Sequence, residues 1–228
     1  AVLHIEGAEM IGEDLDALFV LHQAGLRSLG PVWSRDNVFA HGVPFQFPAS
    51  PDTGPGLTAA GEDLVRACNE LGIMIDLSHM NEKGFFDVAR LSDAPLVASH
   101  SNAHAVCASS RNLTDGQLEA VRDSGGLVGL NYATGFLAPD GSRDAGLPLE
   151  VLLRHTDHLL GIVGEDGVAL GSDFDGAGIP AAIGDVRGVQ NLLGAMLEHG
   201  YGEELVRKIA LDNWLSVLER TWKQPAAA

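Results

Sequence analysis

The chain has 228 residues, of which 46% are apolar and 20% are charged, a composition that suits a folded domain with a sizeable core. Its formal net charge of −17, from 31 acidic and 14 basic residues, disfavours nucleic acid and anionic lipid surfaces as partners. Its apolar runs are much shorter than the roughly 20 residues that a membrane span needs. Cys68 and Cys107 lack the spacing of a metal or redox motif, and we interpret both as free thiols.

Short apolar or β-branched runs alternate with longer segments of helical period, which predicts βα units around a parallel sheet. The predicted strands span residues 2–6, 26–30, 72–77, 95–99, 127–131 and 167–171. The chain begins directly in the first strand, with neither an initiator Met nor a signal peptide. We therefore expect a sequence that is cut short at its N-terminus.

The helical segments between the strands carry recognisable start signals. Thr114 and Gln117 have the spacing of a capping box ahead of an apolar helical face. Three later segments are amphipathic and are expected in an outer helical layer, namely residues 149–163, 189–199 and 203–222.

One long connection, residues 33–56, is rich in Pro and Gly, which favours a loop over an active site and not a domain boundary. We therefore interpret residues 1–228 as a single α/β domain. Six βα units would complete an open doubly wound sheet but are two short of a closed (β/α)8 barrel. The order of the elements alone leaves both architectures open.

Polar residues follow the predicted strands at the end where barrel enzymes build their active sites. Glu6, His79, His100 and Asp173 each lie at or just beyond the C-terminal end of a separate strand. Two imidazoles and a carboxylate are ligands that zinc prefers, with one position left open for water. A single His after a strand is more often structural, so the interpretation as a metal site depends on the joint occurrence of these residues at successive strand ends.

These residues lie in segments that resemble a known family. Residues 72–112, GIMIDLSHMNEKGFFDVARLSDAPLVASHSNAHAVCASSRN, resemble the core of the membrane (renal) dipeptidase family of zinc metallopeptidases. The likeness continues through HIEGAEMI at 4–11, GSDFDG at 171–176 and LDN at 211–213. The resemblance implies a TIM-like (β/α)8 metal-dependent hydrolase barrel, of which this N-terminally truncated chain would hold six βα units.

The resemblance also implies a binuclear zinc centre. Glu6 would bridge both Zn²⁺ ions, and His79 and His100 would complete the ligands of one of them. The family takes further ligands from an H-x-D pair on its first strand, and no such pair precedes Glu6 here. The chain would therefore carry one of the two sets of ligands.

Three residues correspond to the substrate site of the family. Arg111 would bind the carboxylate of the substrate, a task that suits a planar guanidinium. Asp173 would receive the substrate's amino group and assist proton transfer as the catalytic residue. Trp33 takes the place of the family's catalytic His, and its indole can donate one hydrogen bond but cannot be a cation. His41, in the loop that follows, is a candidate substitute.

The implied activity is that of a metal-dependent dipeptidase, which hydrolyses dipeptides with free termini through a zinc-bound hydroxide. Two alternatives stay open. One is another metal-dependent amidohydrolase that acts on a lactone, a cyclic amide or an N-acyl amino acid, and the other is an inactive truncated copy. The expected partner is a dipeptide or a small amide, a homodimer is an open assembly state, and a cytoplasmic location is favoured with a signal peptide left open.

Other histidines fit structural roles better. His155 and His158 are spaced like a metal pair on a predicted helix, but polar positions on an outer helix are more often structural. His4 and His104 are candidates for supporting the site from behind, with plain packing as an equal alternative. Asp175 would face the same site if the preceding strand continued that far.

Overall fold

Parallel strands form the centre of the fold, which the computed structural model describes for residues 1–222. They are β1 (Leu3–Glu6), β2 (Leu26–Gly30), β3 (Met74–Ile75), β4 (Val97–Ser101), β5 (Leu127–Asn131) and β6 (Val168–Gly171). The first three strands pair in chain order in one sheet, and the last three pair in chain order in a second sheet. A parallel bridge between Asp76 and Val97 joins the two sheets.

The parallel α/β architecture predicted from the sequence is confirmed in the form of these two small sheets, although β3 is shorter than expected. The sequence pattern places the fourth strand at residues 95–99, which is wrong by two residues at each end. Pro95 has no N–H to donate to a neighbouring strand, and pairing with β5 begins at Val97. Ser101 is still paired with β5, so His100 lies inside the strand and not beyond its end.

Helices follow the strands as expected for βα units. They are α1 (Asp16–Gln23), α2 (Ala59–Leu71), α3 (Glu82–Leu91), α4 (Asp115–Asp123), α5 (Thr134–Leu137), α6 (Leu149–Val163), α7 (Val189–His199), α8 (Gly202–Arg207) and α9 (Asn213–Thr221). A 3-10 turn at Val186–Gly188 precedes α7, and a π-helical turn at Lys208–Asp212 lies between α8 and α9. Within residues 1–222, no helix combines the length and the apolar character that crossing a bilayer requires.

Side-chain caps mark the start of several of these helices, α3 and α4 among them. The predicted capping box of α4 is confirmed, since the Oε1 atom of Gln117 accepts the N–H of Thr114 at 2.9 Å. The Oδ1 atom of Asn81 likewise accepts the N–H of Gly84 at 2.9 Å at the start of α3. This second cap fixes the path of the chain just after His79.

Alternate strand residues face the helices and form the main core. Leu29, Leu130 and Val168 are each fully buried against it. Burial of such a side chain contributes about 1.5 to 3 kcal/mol to folding. Cys68 and Cys107 are buried free thiols, as the sequence predicts.

Helix α9 packs against the other face of the strands, so the outer position predicted for residues 203–222 is wrong for this last part, whereas Val206 of α8 packs in the main core. Its Val217 joins a separate buried cluster with Met74, Val97, Leu127 and Ala169, which come from β3 to β6. The apolar stripe of α9 contacts a second apolar surface there, made by residues from the first two positions of these strands. The helix therefore covers the end of the sheets opposite to the polar strand ends.

Candidate active site

Three candidate ligands converge at the carboxyl ends of the strands. Glu6 is the last residue of β1, His79 follows β3, and His100 lies near the end of β4. The Nε2 atoms of His79 and His100 are 3.0 Å apart, and they lie 3.0 and 3.2 Å from Oε1 of Glu6. The structure therefore brings together the two imidazoles and the carboxylate that the sequence singles out.

This group has the chemistry of a metal site. One ligand atom from each of Glu6, His79 and His100 lies within 4.8 Å of the other two, so the group could hold a metal ion. Both histidines are buried, whereas the Glu6 side chain is 41% exposed. Two imidazole nitrogens and a carboxylate oxygen fit the ligand preference of zinc.

The protonation states at this group also suit a cation. The imidazoles of His100 and His79, whose Nε2 atoms lie close to Oε1 of Glu6, hold the pKa of Glu6 well below its ordinary value. Burial, reinforced by the charge of Arg111, lowers the pKa of His79 to about 3. Near neutral pH, Glu6 is therefore ionised and His79 is neutral, which are the states in which these side chains bind metal.

Serine hydroxyls hold both imidazoles from behind. The Oγ atom of Ser99 lies 2.7 Å from Nδ1 of His100, and the Oγ atom of Ser34 lies 2.7 Å from Nδ1 of His79. Each ring thereby presents its Nε2 atom to Glu6. Sequence reasoning missed both serines, although Ser99 directly precedes His100.

A buried carboxylate stands behind Ser99. Asp76, which is 1% exposed, accepts hydrogen bonds from the Ser99 hydroxyl, from the Ser99 N–H at 2.8 Å and from the Ser78 N–H at 3.0 Å. Burial raises the pKa of Asp76, but the charges of His100 and His4 and the bonds from Ser99 outweigh it, so the pKa is lowered. Asp76 is thus an ionised acceptor that sequence reasoning also missed.

Two of the predicted residues have a left-handed backbone. His79 has a φ of 70° and Asp173 a φ of 56°. Such a conformation costs a non-glycine residue on the order of 1 to 3 kcal/mol and occurs most often at functional sites. Here it turns the chain sharply just after β3 and after β6, at the edge where the polar residues meet.

A cavity of about 280 Å³ opens beside the Glu6, His79 and His100 group. Its lining includes Glu6, Trp33, Phe45, His79, Phe136, Arg143 and Asp173. Ring centroids are 5.4 Å apart both from Trp33 to Phe45 and from Phe45 to Phe136, which makes one wall aromatic. The connection 33–56 supplies two of these rings and covers the site, as the sequence predicts.

Asp173 lies on the cavity wall with one oxygen anchored. Its Oδ2 atom accepts a hydrogen bond from Nδ2 of Asn131 at 3.1 Å. A Cβ atom at Gly176 would clash with Oδ1, so a larger residue there would displace this oxygen. Asp175 is exposed and does not line the cavity, because the strand ends at Gly171 and the predicted period of two is lost.

Arg111 lies behind the two histidines, where it is 2% exposed. Its guanidinium donates to Nδ1 of His79 at 3.2 Å, to Oγ of Ser101 at 2.9 Å and to the carbonyl of His100 at 3.0 Å. Burial lowers its pKa to about 10, a value at which it still carries its charge near neutral pH. Arg111 is absent from the cavity lining, and its predicted contact with a substrate carboxylate stays a prediction.

The other candidate histidines divide between supporting and peripheral positions. His4 lies next to the site, with Nδ1 2.8 Å from Oγ of Ser28 and Nε2 3.9 Å from Asp76. His104 instead donates to the carbonyl of Ala49 at 2.9 Å. His41 is within 3.0 Å of Asp36 and lies outside the cavity lining, so it does not replace the family's histidine in this geometry.

The histidines of α6 have structural contacts. His155 is fully buried, with Nε2 donating to the carbonyl of Leu137 at 3.0 Å and Nδ1 accepting the N–H of Ala103 at 3.2 Å. His158 lies 2.7 Å from Asp115 on the surface. The two rings therefore serve different neighbours.

Comparison with known proteins identifies the class of this site. Residues 1–227 match the model of the membrane dipeptidase family, peptidase family M19. The chain therefore belongs to this family of metallopeptidases, which confirms the resemblance seen in the sequence.

Several relatives place the chain within the family. A metallo peptidase from Rhodobacter sphaeroides, solved with a phosphinate mimic of the dipeptide L-Ala-D-Ala, is 64% identical with a TM-score of 0.96, covering 97% of this chain and 63% of that one. An uncharacterized protein in the pqqA 5′ region of Klebsiella pneumoniae is 52% identical, covering 98% of this chain and 82% of the relative. Dipeptidase tcpJ of Claviceps purpurea is 29% identical, covering 96% of this chain and 50% of the relative. The chain thus spans half of the Claviceps dipeptidase and less than two thirds of the Rhodobacter chain.

Proposed function

We propose that this chain belongs to a zinc-dependent dipeptidase that hydrolyses the peptide bond of dipeptides with free termini. The observation that carries the proposal is the convergence of Glu6, His79 and His100 beside a cavity that also contains Asp173. The dipeptide mimic bound by the Rhodobacter relative supports a substrate of this size.

The proposed architecture is a (β/α)8 barrel of which residues 1–228 form part. Six parallel strands in chain order, with the bridge from Asp76 to Val97 linking the two sheets, support this reading. In such a barrel the carboxyl ends of the strands form the active site, and that is the edge at which Glu6, His79 and His100 meet.

Glu6, His79 and His100 would hold Zn²⁺, with Glu6 bridging to a second ion. When bound, zinc supplies Lewis-acid chemistry, since it lowers the pKa of water to about 7 and polarises a carbonyl oxygen. The hydroxyls of Ser34 and Ser99 keep the two imidazoles aimed at this position.

Asp173 would bind the substrate's amino group and move a proton to the leaving amine. Because Asn131 anchors Oδ2, the Oδ1 atom is the one free to exchange the proton. Arg111 has five N–H groups, and the three that donate to protein atoms leave two for a substrate carboxylate. The aromatic wall of Trp33, Phe45 and Phe136 would exclude water from the bound dipeptide.

The experiment that tests this function is the Asp173→Asn variant. We expect turnover of dipeptides to fall by about 100-fold or more while zinc content is unchanged, since general acid and base groups contribute factors of this size. Asp185→Asn is the matched control, because Asp185 is an exposed carboxylate paired with Arg187. An unaltered rate in Asp173→Asn would contradict the role of this residue.

A substrate panel separates the proposal from other amidohydrolase activities. Dipeptides with free termini should be hydrolysed faster than N-acyl amino acids, lactones or cyclic amides. Faster hydrolysis of an N-acyl amino acid, a lactone or a cyclic amide would indicate a different metal-dependent amidohydrolase activity. The zinc content of the same preparation distinguishes the two explanations for a lack of dipeptide hydrolysis. An inactive protein without metal would contain no zinc, whereas an enzyme with a different substrate would contain it.

A further inference from the structure

An arginine that the resemblance does not assign lines the cavity. Arg143 lies between α5 and α6 and shares the cavity with Glu6 and Asp173. Its stem packs over Gly135, where a Cβ atom would lie 3.2 Å from Cγ and 3.3 Å from Nε of Arg143. A glycine at this position therefore lets the arginine lie close to the chain at the cavity wall.

The guanidinium of Arg143 is exposed and has no carboxylate within 4.0 Å among residues 1–222. Other arginines pair with an Asp or Glu, namely Arg35, Arg66, Arg90, Arg122, Arg187 and Arg207. The acidic neighbours Asp140 and Asp144 accept backbone N–H groups from Ser142 and Gly146 instead. The N–H groups of Arg143 on the cavity wall are therefore not held by an ion pair with a carboxylate among residues 1–222.

We propose that Arg143 binds a carboxylate of the substrate, an inference that rests on the proposed dipeptidase function and deepens it. Arg111 is 2% exposed and absent from the cavity lining, whereas Arg143 is exposed on the cavity wall. A guanidinium pairs with a carboxylate through two parallel hydrogen bonds. The carboxylate has two sources, the C-terminus of the dipeptide or an acidic side chain.

Binding of phosphinate dipeptide mimics to the zinc-loaded protein, measured by calorimetry, tests this inference without turnover. One mimic carries two alanine side chains, and the other carries alanine followed by aspartate. The test variant is Arg143→Met, which keeps the length of the stem and removes the charge. Arg187→Met is the matched control, because it removes one exposed positive charge outside the cavity lining.

We expect Arg143→Met to weaken binding by about tenfold, the loss typical of one charge-assisted contact. Equal weakening of both mimics assigns Arg143 to the C-terminal carboxylate, and weakening of the aspartate mimic alone assigns it to an acidic side chain. Unchanged affinity for both mimics overturns the inference and leaves the dipeptidase proposal in place. Failure of the native protein to bind either mimic overturns both.

Discussion

The Oγ atom of Ser99 lies 2.7 Å from Nδ1 of His100 and donates its own hydrogen bond to Asp76. Because the Ser99 hydroxyl donates its hydrogen bond to an ionised carboxylate, its Oγ atom accepts a hydrogen bond from the N–H at Nδ1 of His100. The free lone pair of His100 is then on Nε2, 3.2 Å from Glu6. Through the hydroxyl of Ser99, the buried Asp76 thus determines which ring nitrogen of His100 carries the proton.

Removal of this support should weaken metal binding. We expect Ser99→Ala to lower zinc affinity by about 10- to 100-fold, the usual effect of losing the partner of a ligand's second nitrogen. Competition with a chromogenic chelator measures the zinc affinity of each variant. Ser92→Ala is the matched control, since Ser92 bonds to the Ala94 carbonyl away from the site. Equal affinities in the two variants would contradict the role of Ser99.

The backbone of β4, the strand that carries Ser99, leaves no room for a side chain at Gly129 of the neighbouring strand β5. A Cβ atom at Gly129 would lie 1.9 Å from the carbonyl oxygen of Ser99, so Gly129→Ala must push β4 and β5 apart. We expect a loss of about 1 to 3 kcal/mol in the free energy of unfolding, measured by urea denaturation. Gly161→Ala, in the interior of α6 with nothing within 4 Å of the new atom, should instead gain about 0.5 to 1 kcal/mol. Equal effects of the two substitutions would rule out the steric explanation.

Much of the fold could be predicted because it depends on local signals. Hydrophobic runs located all the strands, and the capping box located the start of α4. The position of α9 could not be predicted, because its amphipathic pattern says that one face is buried and not which surface covers it. The end of β4 depended on its pairing with β5, which no local pattern records.

The candidate ligands could be predicted for a similar reason, since Glu6, His79 and His100 each lie at or near the C-terminal end of a strand. Asp76 and Ser99 could not, because their bond forms across two strands that meet only at the junction of the two sheets. Arg143 gave no signal either, since its place on the cavity wall depends on how the connection between α5 and α6 packs over Gly135.

Arg111 has a structural role in addition to any contact with substrate. Its guanidinium donates to Ser101, to the His100 carbonyl and to His79 in a fully buried position. We expect Arg111→Met to lower the free energy of unfolding by roughly 2 to 4 kcal/mol, because the substitution leaves three buried acceptors without their donor. Urea denaturation of the metal-free protein measures this loss without any substrate.

The exposed Arg143 provides the comparison for Arg111. Arg143→Met removes the same charge and should change the free energy of unfolding by less than about 0.5 kcal/mol, as is usual for surface positions. If Arg111→Met proved as stable as Arg143→Met, the buried hydrogen bonds of Arg111 would have no net effect on folding. Its part would then be confined to the substrate.

His155 should make stability depend on pH. Burial lowers its pKa to about 4, and both ring nitrogens are used by Leu137 and Ala103 in the neutral form. Between about pH 6.5 and pH 4, the unfolded chain binds a proton at this residue that the folded chain does not, so stability falls as the pH falls. Above pH 6.5 the residue is neutral in both states and contributes no pH dependence.

The size of this effect follows from the pKa difference. A shift from 6.5 to about 4 corresponds to roughly 3 kcal/mol of stability lost on acidification through that range. His155→Gln keeps one donor and one acceptor but cannot be protonated, so we expect lower stability at pH 7 and a shallower fall toward pH 4. Urea denaturation at several pH values measures both quantities. If the two proteins lost stability in parallel on acidification, the proton would have to be taken up elsewhere, and His155 would have only its packing role.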